Sequence, residues 1–285
     1  TINMAVGATY TPTSVAAGGV AFDPMAGGAT TVSVTAPGFN NAWSAASQSV
    51  TVTQPGITIT DPWQNYYRVG GGLQKQLRLT LGGSAHGGVT VRVASSDTAR
   101  ILLSPDATTP GTAFLDLVIA DGQTTKDFYI QGINGVTGTV TITATNALFT
   151  TGTVSIELVQ SIAQITGLPA TDTVGAANDP FYVNTGVLNA AGTAVQAWQD
   201  VNPAGPIQVL LTSSNVSVGE LETNAATGAQ VTVSVPINGY YSPTTKATGG
   251  VEFDPLATGS TTVSASVNGF NNSWTGAAVT VAVTP

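Results

Sequence analysis

Apolar residues along this chain recur at every second position. Leu77, Leu79 and Leu81 alternate with polar neighbours, and so do Val89, Val91 and Val93. The pattern returns at Leu115, Leu117 and Ile119, at Val140, Ile142 and Ala144, and at Val154, Ile156 and Leu158. It continues through Val209 and Leu211 and through Val231, Val233 and Val235. Successive side chains of a strand point to opposite faces, so each run predicts a strand with one apolar face and one face of Thr, Ser or Arg. No segment of helical length carries a 3.6-residue stripe. Thirty-three glycines and fifteen prolines fall mostly between the runs, where turns need a positive or a preset φ. Short strands at this spacing predict an all-β chain of antiparallel β-sandwiches.

One block of the pattern occurs twice. Val251-Glu252-Phe253-Asp254-Pro255-Leu256, the run Thr261–Val267, the turn Gly269-Phe270-Asn271-Asn272-Ser273-Trp274 and the run Val279–Val283 follow one another near the end. Val20-Ala21-Phe22-Asp23-Pro24-Met25, Thr30–Val34, Gly38-Phe39-Asn40-Asn41-Ala42-Trp43 and Val50–Val52 match them without a gap. Nearly half of positions 1–54 are identical to 232–285. Self-similarity at a fixed offset marks a tandem array.

A weaker likeness joins Val91–Asp97 to Val209–Asn215, and Gly138-Thr139-Val140-Thr141 to Gly259-Ser260-Thr261-Thr262. Two related domain types therefore alternate. Residues 1–54 read as the closing half of a type-B domain, 55–160 as type A, and 161–285 as type B with a long insertion around 167–206. Thr1 then corresponds to the middle of a repeat, so an arbitrary start is the expectation. The insertion predicts a loop or extra strands and is the best candidate for contacts outside its domain. Val52–Ile57 and Leu158–Ile162 leave no room for a flexible linker, which predicts domains set nearly end to end with restricted hinge motion.

The 285 residues suit two or three units of about 100–120 residues. Such units bury a core without disulfides, consistent with the absence of cysteine, which leaves the redox compartment unrecorded. Charged residues make up only 8% of the chain, against about 25% in an ordinary soluble domain. The surface is therefore rich in hydroxyls and amides, suited to glycan decoration or close side-by-side packing. A net charge of −8 without a Lys/Arg cluster argues against nucleic acid and anionic membranes. No apolar run approaches the roughly 20 residues of a membrane span, and no signal peptide opens the chain.

Ser95-Ser96-Asp97, Ile101-Leu102-Leu103-Ser104-Pro105-Asp106-Ala107-Thr108-Thr109-Pro110-Gly111-Thr112-Ala113 and Phe128-Tyr129-Ile130-Gln131-Gly132-Ile133-Asn134-Gly135 through Thr145 resemble the bacterial immunoglobulin-like repeats of large secreted and cell-surface proteins. The Phe253-Asp254-Pro255-Leu256-Ala257 block and Gly259–Phe270 resemble a variant of that family. The resemblance covers most of 70–160 and 205–285. It implies tandem immunoglobulin-like sandwiches in stalks, adhesin shafts, surface layers or fibres, located outside the cell or on its surface.

Phe-Asp-Pro at 22–24 and 253–255 reads as an aromatic plug followed by a turn, in which Asp caps its own backbone. The competing reading, Ca²⁺ on Asp23 or Asp254, lacks a second nearby acid for six to eight oxygen ligands; no other cofactor is expected. Gly-Phe-Asn-Asn-x-Trp at 38–43 and 269–274 reads as a turn returning Phe and Trp to the core, with a sugar platform as the alternative. Trp63, Tyr66, Tyr67 and Arg68 concentrate interface-type residues near the start of type A. They seat either the B–A junction at the start of type A or a partner chain. Phe181, Tyr182 and Trp198 are the contact candidates of the 167–206 stretch. Asn215 and Asn271 match the N-glycosylation pattern.

The single His86, in Gly82–Gly88, reads as a turn residue, because one imidazole makes neither a metal site nor a triad. Gly70-Gly71-Gly72 lacks the Lys and helix of a phosphate loop and reads as a turn. Asp97, Asp106, Asp121 and Asp127 sit in separate turns without acid/base pairing. The expected function is structural and non-enzymatic: a rod, fibre or surface-filament segment whose partners are neighbouring repeats or copies of itself, assembling laterally or by strand complementation. The alternative is an adhesin module that binds a glycan or a cell-surface partner.

Overall fold

The computed structural model describes residues 1–24 and 27–285. The chain divides into two compact units, Thr1–Pro55 and Gly56–Pro285. Among the described residues there is no α-helix, only strands and short 3-10 turns.

In the first unit β1 (Gly28–Ser33) and β2 (Ser47–Val52) form an antiparallel hairpin, with Gly28 opposite Val52 and Ser33 opposite Ser47. A 3-10 turn at Val15–Ala17 ends on Gly18, whose φ of +91° is open to glycine and strained for other residues. The Asn41 amide closes the loop before β2, accepting from the Ala36 N–H at 2.8 Å and donating to the Ala36 carbonyl at 3.1 Å. Val20–Pro24 is not in a strand, and Met25, the last residue of that matched block, lies outside the described residues.

The second unit contains two sandwiches, each with its own core. The first comprises β3 (Ile57–Thr60), β4 (Arg68–Gly70), β5 (Leu73–Leu81), β6 (Val89–Ser95), β7 (Ile101–Ser104), β8 (Phe114–Ile119), β9 (Thr125–Gly132), β10 (Gly138–Asn146) and β11 (Phe149–Val159). Its sheets run β3-β5-β9-β7 and β4-β11-β10-β6-β8. The second comprises β12 (Ile162–Thr166), β13 (Thr171–Thr173), β14 (Asp179–Leu188), β15 (Val195–Trp198), β16 (Asp200–Val201), β17 (Ile207–Ser213), β18 (Gly219–Glu222), β19 (Thr227–Gly228), β20 (Gln230–Val235), β21 (Val251–Pro255), β22 (Gly259–Ser266) and β23 (Ala278–Thr284). Its sheets run β12-β14-β21-β18-β19 and β13-β23-β22-β17-β20.

Apart from β15, β16 and β19, the second sandwich repeats the strand order of the first. In each, one short strand runs parallel to the last strand, β4 on β11 and β13 on β23, while the long neighbours pair antiparallel. The two-layer immunoglobulin-like plan expected from the alternating runs is thus present twice. The Val91–Asp97 and Val209–Asn215 runs fall on β6 and β17, which hold equivalent places.

Period-two alternation fills the cores. Leu77 and Leu79 of β5, Val91 and Val93 of β6, and Val209 and Leu211 of β17 are fully buried. So are Phe128, Phe181 and Phe253, each contributing about 1.5–3 kcal/mol by leaving water. Phe181 is therefore a core residue and not the contact residue expected. Phe-Asp-Pro at 253–255 also differs from expectation. β21 runs straight through it, with Pro255 opposite Gly219 and Asp254 opposite Glu220, so the turn comes afterwards.

The 167–206 stretch is not a single insertion, because β13 and β14 within it are sandwich strands. Only the segment after β14, through β15 and β16, is additional. β14 escaped recognition because Asn184, Thr185 and Gly186 are buried between its apolar positions, which hides the alternation.

Candidate functional site at the junction of the two sandwiches

β11 and β12 are separated only by Gln160 and Ser161. So short a connection holds the facing ends of the sandwiches together, and backbone and amide side chains knit them. β16 leaves the second sandwich and pairs with β5 of the first, with Asp200 opposite Gln74 and Val201 opposite Leu73. β5 is bonded to β3 over its other half, so β16 prolongs the first sandwich's sheet. Leu73 in turn packs into the second sandwich's core.

Gln199 is buried and bonds in three directions. Its Oε1 accepts from the Gly70 N–H at 2.9 Å, and its Nε2 donates to the Arg68 carbonyl at 2.9 Å and to Tyr66 Oη at 3.0 Å. Asn202 Nδ2 donates to the Gly132 carbonyl at 3.0 Å, and Ser161 Oγ to the Gly71 carbonyl at 2.8 Å. Arg68 spans the boundary, donating to the Leu188 carbonyl at 3.2 Å and pairing with Glu157 at 2.6 Å. Gly70-Gly71-Gly72 is more than a turn. A Cβ on Gly70 would lie 2.2 Å from Ser161 Oγ and 3.1 Å from Val187 Cγ1, so bare backbone is needed where the sandwiches meet.

A buried ion pair sits beside this seam. Lys75 Nζ lies 2.8 Å from Asp61 Oδ2 and 3.0 Å from the centre of the Tyr66 ring. Asp61 also accepts from the backbone N–H groups of Trp63 and Tyr66. Burial pushes Lys75 down to about 8, against the opposing pull of Asp61. Burial would raise Asp61, but the Lys75 hydrogen bond and the two backbone donors outweigh it and hold the carboxyl low. Burial also raises Tyr66.

An open cleft of about 240 Å³ lies over the pair, walled by Trp63, Gln64, Tyr66, Tyr129, Trp198 and Asp200. Burial raises the Asp200 carboxyl. Trp63 is exposed, its Nε1 donating to Gln76 Oε1 at 3.2 Å, and the exposed Trp198 ends β15. The fold thus brings Trp63, Tyr66 and Trp198 to one cleft, with Tyr67 and Arg68 lining a neighbouring hollow. Tyr182 stands apart, edge-on to Tyr241, which in turn contacts Tyr240. Asp61, Lys75 and Gln199 were missed in the sequence. Their spacing carries no motif, and only the strand order brings them together.

Asn215 is exposed, whereas the Asn271 N–H is bonded to the Ser161 carbonyl. The Asn272 amide is taken up by both backbone groups of Val267, as expected for a turn. His86 lies in the β5–β6 turn, its Nε2 2.9 Å from the Gln123 carbonyl. Asp127 pairs with Arg78, Asp97 with Arg100, and Asp121 and Asp106 accept from neighbouring backbone N–H groups. Among the described residues no three His, Asp or Glu side chains converge as a metal site would require. No helix among them is long and apolar enough to cross a membrane, which says nothing of a β-barrel.

No family model and no curated protein matches the chain. Solved structures with some likeness include red sea bream transglutaminase, at 12% identity and a TM-score of 0.25 over 82% of this chain and 32% of that one. The chain thus spans about a third of that transglutaminase. CBD12 from CALX1.2 shows 11% identity and a TM-score of 0.25 over 73% and 79% of the two chains. The teleost fish polymeric Ig receptor ectodomain shows 12% and 0.31 over 80% and 98%. At these scores the likenesses carry no functional argument.

Proposed function

We propose that this chain is a non-enzymatic structural segment of a tandem immunoglobulin-like array on a bacterial surface or in a secreted fibre, and that its work is to hold a distance. One observation carries the reading: β16 of one sandwich is bonded into the sheet of the other, with Gln199 buried between them. A joint made of ladder hydrogen bonds and a filled core resists hinge motion, which loops that merely touch do not. Six of the seven Lys and Arg residues lie in the first sandwich. The second carries Asp172, Asp179, Asp200, Glu220, Glu222, Glu252 and Asp254 against Lys246 alone, so copies packed side by side there meet like-charge repulsion that salt screens.

Distance measurements between spin labels on β8 and β20 test the reading. A single narrow distribution is expected, and Gln199→Ala should broaden it, because the Gly70 N–H is left unsatisfied at a cost of about 1–3 kcal/mol. A broad distribution in the parent chain would remove the spacer role.

The alternative, an adhesin module for glycans, is supported by the cleft between Trp63 and Trp198, where aromatic faces, amides and a carboxylate suit a sugar ring. Glycan-array binding abolished by Trp198→Ala would place this reading first.

A further inference from the structure

The two copies of the repeated block differ in what covers them. In the second unit β21 is flanked on both sides: Phe181 of β14 stands opposite Val251, and Leu221 of β18 opposite Phe253. β17 pairs with β22, setting Leu211 opposite Ala265 and Ser213 opposite Val263. Val251, Phe253 and Val263 are fully buried as a result. Gly219 takes part by lacking a side chain, since a Cβ there would lie 2.1 Å from the Phe253 ring.

The first unit repeats the hairpin, and Gly28 pairs with Val52 as Gly259 pairs with Val283. Yet Val20, Phe22, Val32 and Val34 are 46–72% exposed. Among the described residues its Val20–Pro24 segment pairs with no strand. The missing strands are therefore specified by the covered copy.

We infer that residues 1–54 are an acceptor half-sandwich, and that its occupant is a polypeptide carrying the strand set of 161–231, supplied by another stretch of chain. The inference goes beyond the spacer role, because it names a joining surface and its register. The covered copy dictates the pairing. Phe181 of the incoming segment lies opposite Val20, Leu221 opposite Phe22, Leu211 opposite Val34 and Leu210 opposite Thr35, and the space at Gly219 receives the Phe22 ring. Such an occupant brings the apolar strand faces that Phe22 and Val32 lack, and a bonded edge on each side of Val20–Pro24.

The test adds a recombinant 161–231 polypeptide, which lacks its own β21–β23, to the intact 285-residue chain. A 1:1 complex by native mass spectrometry is expected, with new hydrogen-exchange protection confined to Thr1–Met4, β1, β2 and Val20–Pro24, the counterparts of the segments that 161–231 covers in the second unit. Phe22→Asp in the chain should weaken binding at least tenfold. Gly219→Val in the added polypeptide should do the same while leaving the chain untouched, which guards against a folding artefact. The chain has no cysteine, so register can be read directly. Thr35→Cys should cross-link to Leu210→Cys of the polypeptide and at least tenfold less to Leu211→Cys. No complex, a complex indifferent to both variants, cross-linking in the shifted register, or self-association of full chains through 1–54 that excludes the polypeptide would each overturn the inference.

Discussion

The blocks at 20–52 and 251–283 share a sequence pattern and, at their turns and final hairpin, a local conformation, but not an environment. Gly18 and Gly249 both end a 3-10 turn in the left-handed region, and Gly38 and Gly269 have nearly equal positive φ. Asn41 and Asn272 close the same loop with the same two hydrogen bonds. Phe39 is 77% exposed, however, whereas Phe270 is 5% exposed; Phe22 and Phe253 differ likewise. Turn chemistry and hairpin register are written within a few residues and survive without a core. Burial, and the strand state of the Phe-Asp-Pro segment, depend on β14 and β18, remote in sequence.

The largest effect should separate the two phenylalanines. Phe253→Ala empties a packed site and should lower the unfolding free energy of the second unit by about 3–5 kcal/mol in denaturant titration. Phe22→Ala should change stability by about 0.5 kcal/mol or less. Equal losses would end the comparison.

A smaller difference should come from the glycines. Gly28 and Gly259 share a φ near +147°, so alanine strains the backbone at both, by about 1 kcal/mol. Only at Gly259 would the new Cβ also meet Val218 Cγ2, at 2.7 Å, while Gly28 has open space. Gly259→Ala should therefore lower the melting temperature of its unit more than Gly28→Ala lowers its own.

Smaller still is the expected gap between Asn41→Ala and Asn272→Ala. Both remove the same pair of bonds, so losses of about 1 kcal/mol each, within a factor of two, are expected from hydrogen exchange of the flanking strands.

Acid should then separate the two sandwiches. Asp61, Asp116, Asp121 and Asp127 are held low by hydrogen bonds from Lys75 and backbone, Arg92, backbone, and Arg78 respectively, and Asp106 is held at about 2 by Thr108 and Thr109. A lowered folded-state pKa gives stability that is present above the ordinary carboxyl value and lost as pH falls through the lowered one. Asp179 and Asp200 are raised, by burial and, for Asp179, also by Asp172. Protonating them on acidification relieves a cost. Between about pH 4 and pH 2, the first sandwich should lose protection sooner than the second in region-resolved hydrogen exchange corrected for intrinsic rates.

The sandwich layers were legible because β5, β6, β10 and β17 each bury one face, so alternation survives in the residues themselves. β14 was not legible, since Thr166, Gln199 and Tyr240 of its own sandwich bond to Asn184 and Thr185, which are buried with the valines. Phe181 reads as a loop residue for the same reason, because no alternation flanks it in the sequence. The aromatic cluster at Trp63–Tyr67 reads in the sequence as part of the junction before type A, whereas Tyr66 and the adjacent Arg68 bond to Gln199 and Leu188 of the sandwich that follows. Gln199, Asp61 and Lys75 are ordinary residues at ordinary spacings, and only the pairing of β16 with β5 gives them a common place.

That pairing also has a bearing on how such genes could be shuffled. A recombination joint at Gln160 would look clean on paper, between the last strand of one layer pair and the first of the next. It would leave Leu73 stranded in solvent, Val201 without its neighbour, and the Gly70 amide with nothing to donate to. The smallest transferable cassette is thus the couple, and duplications of this lineage should be found in twos.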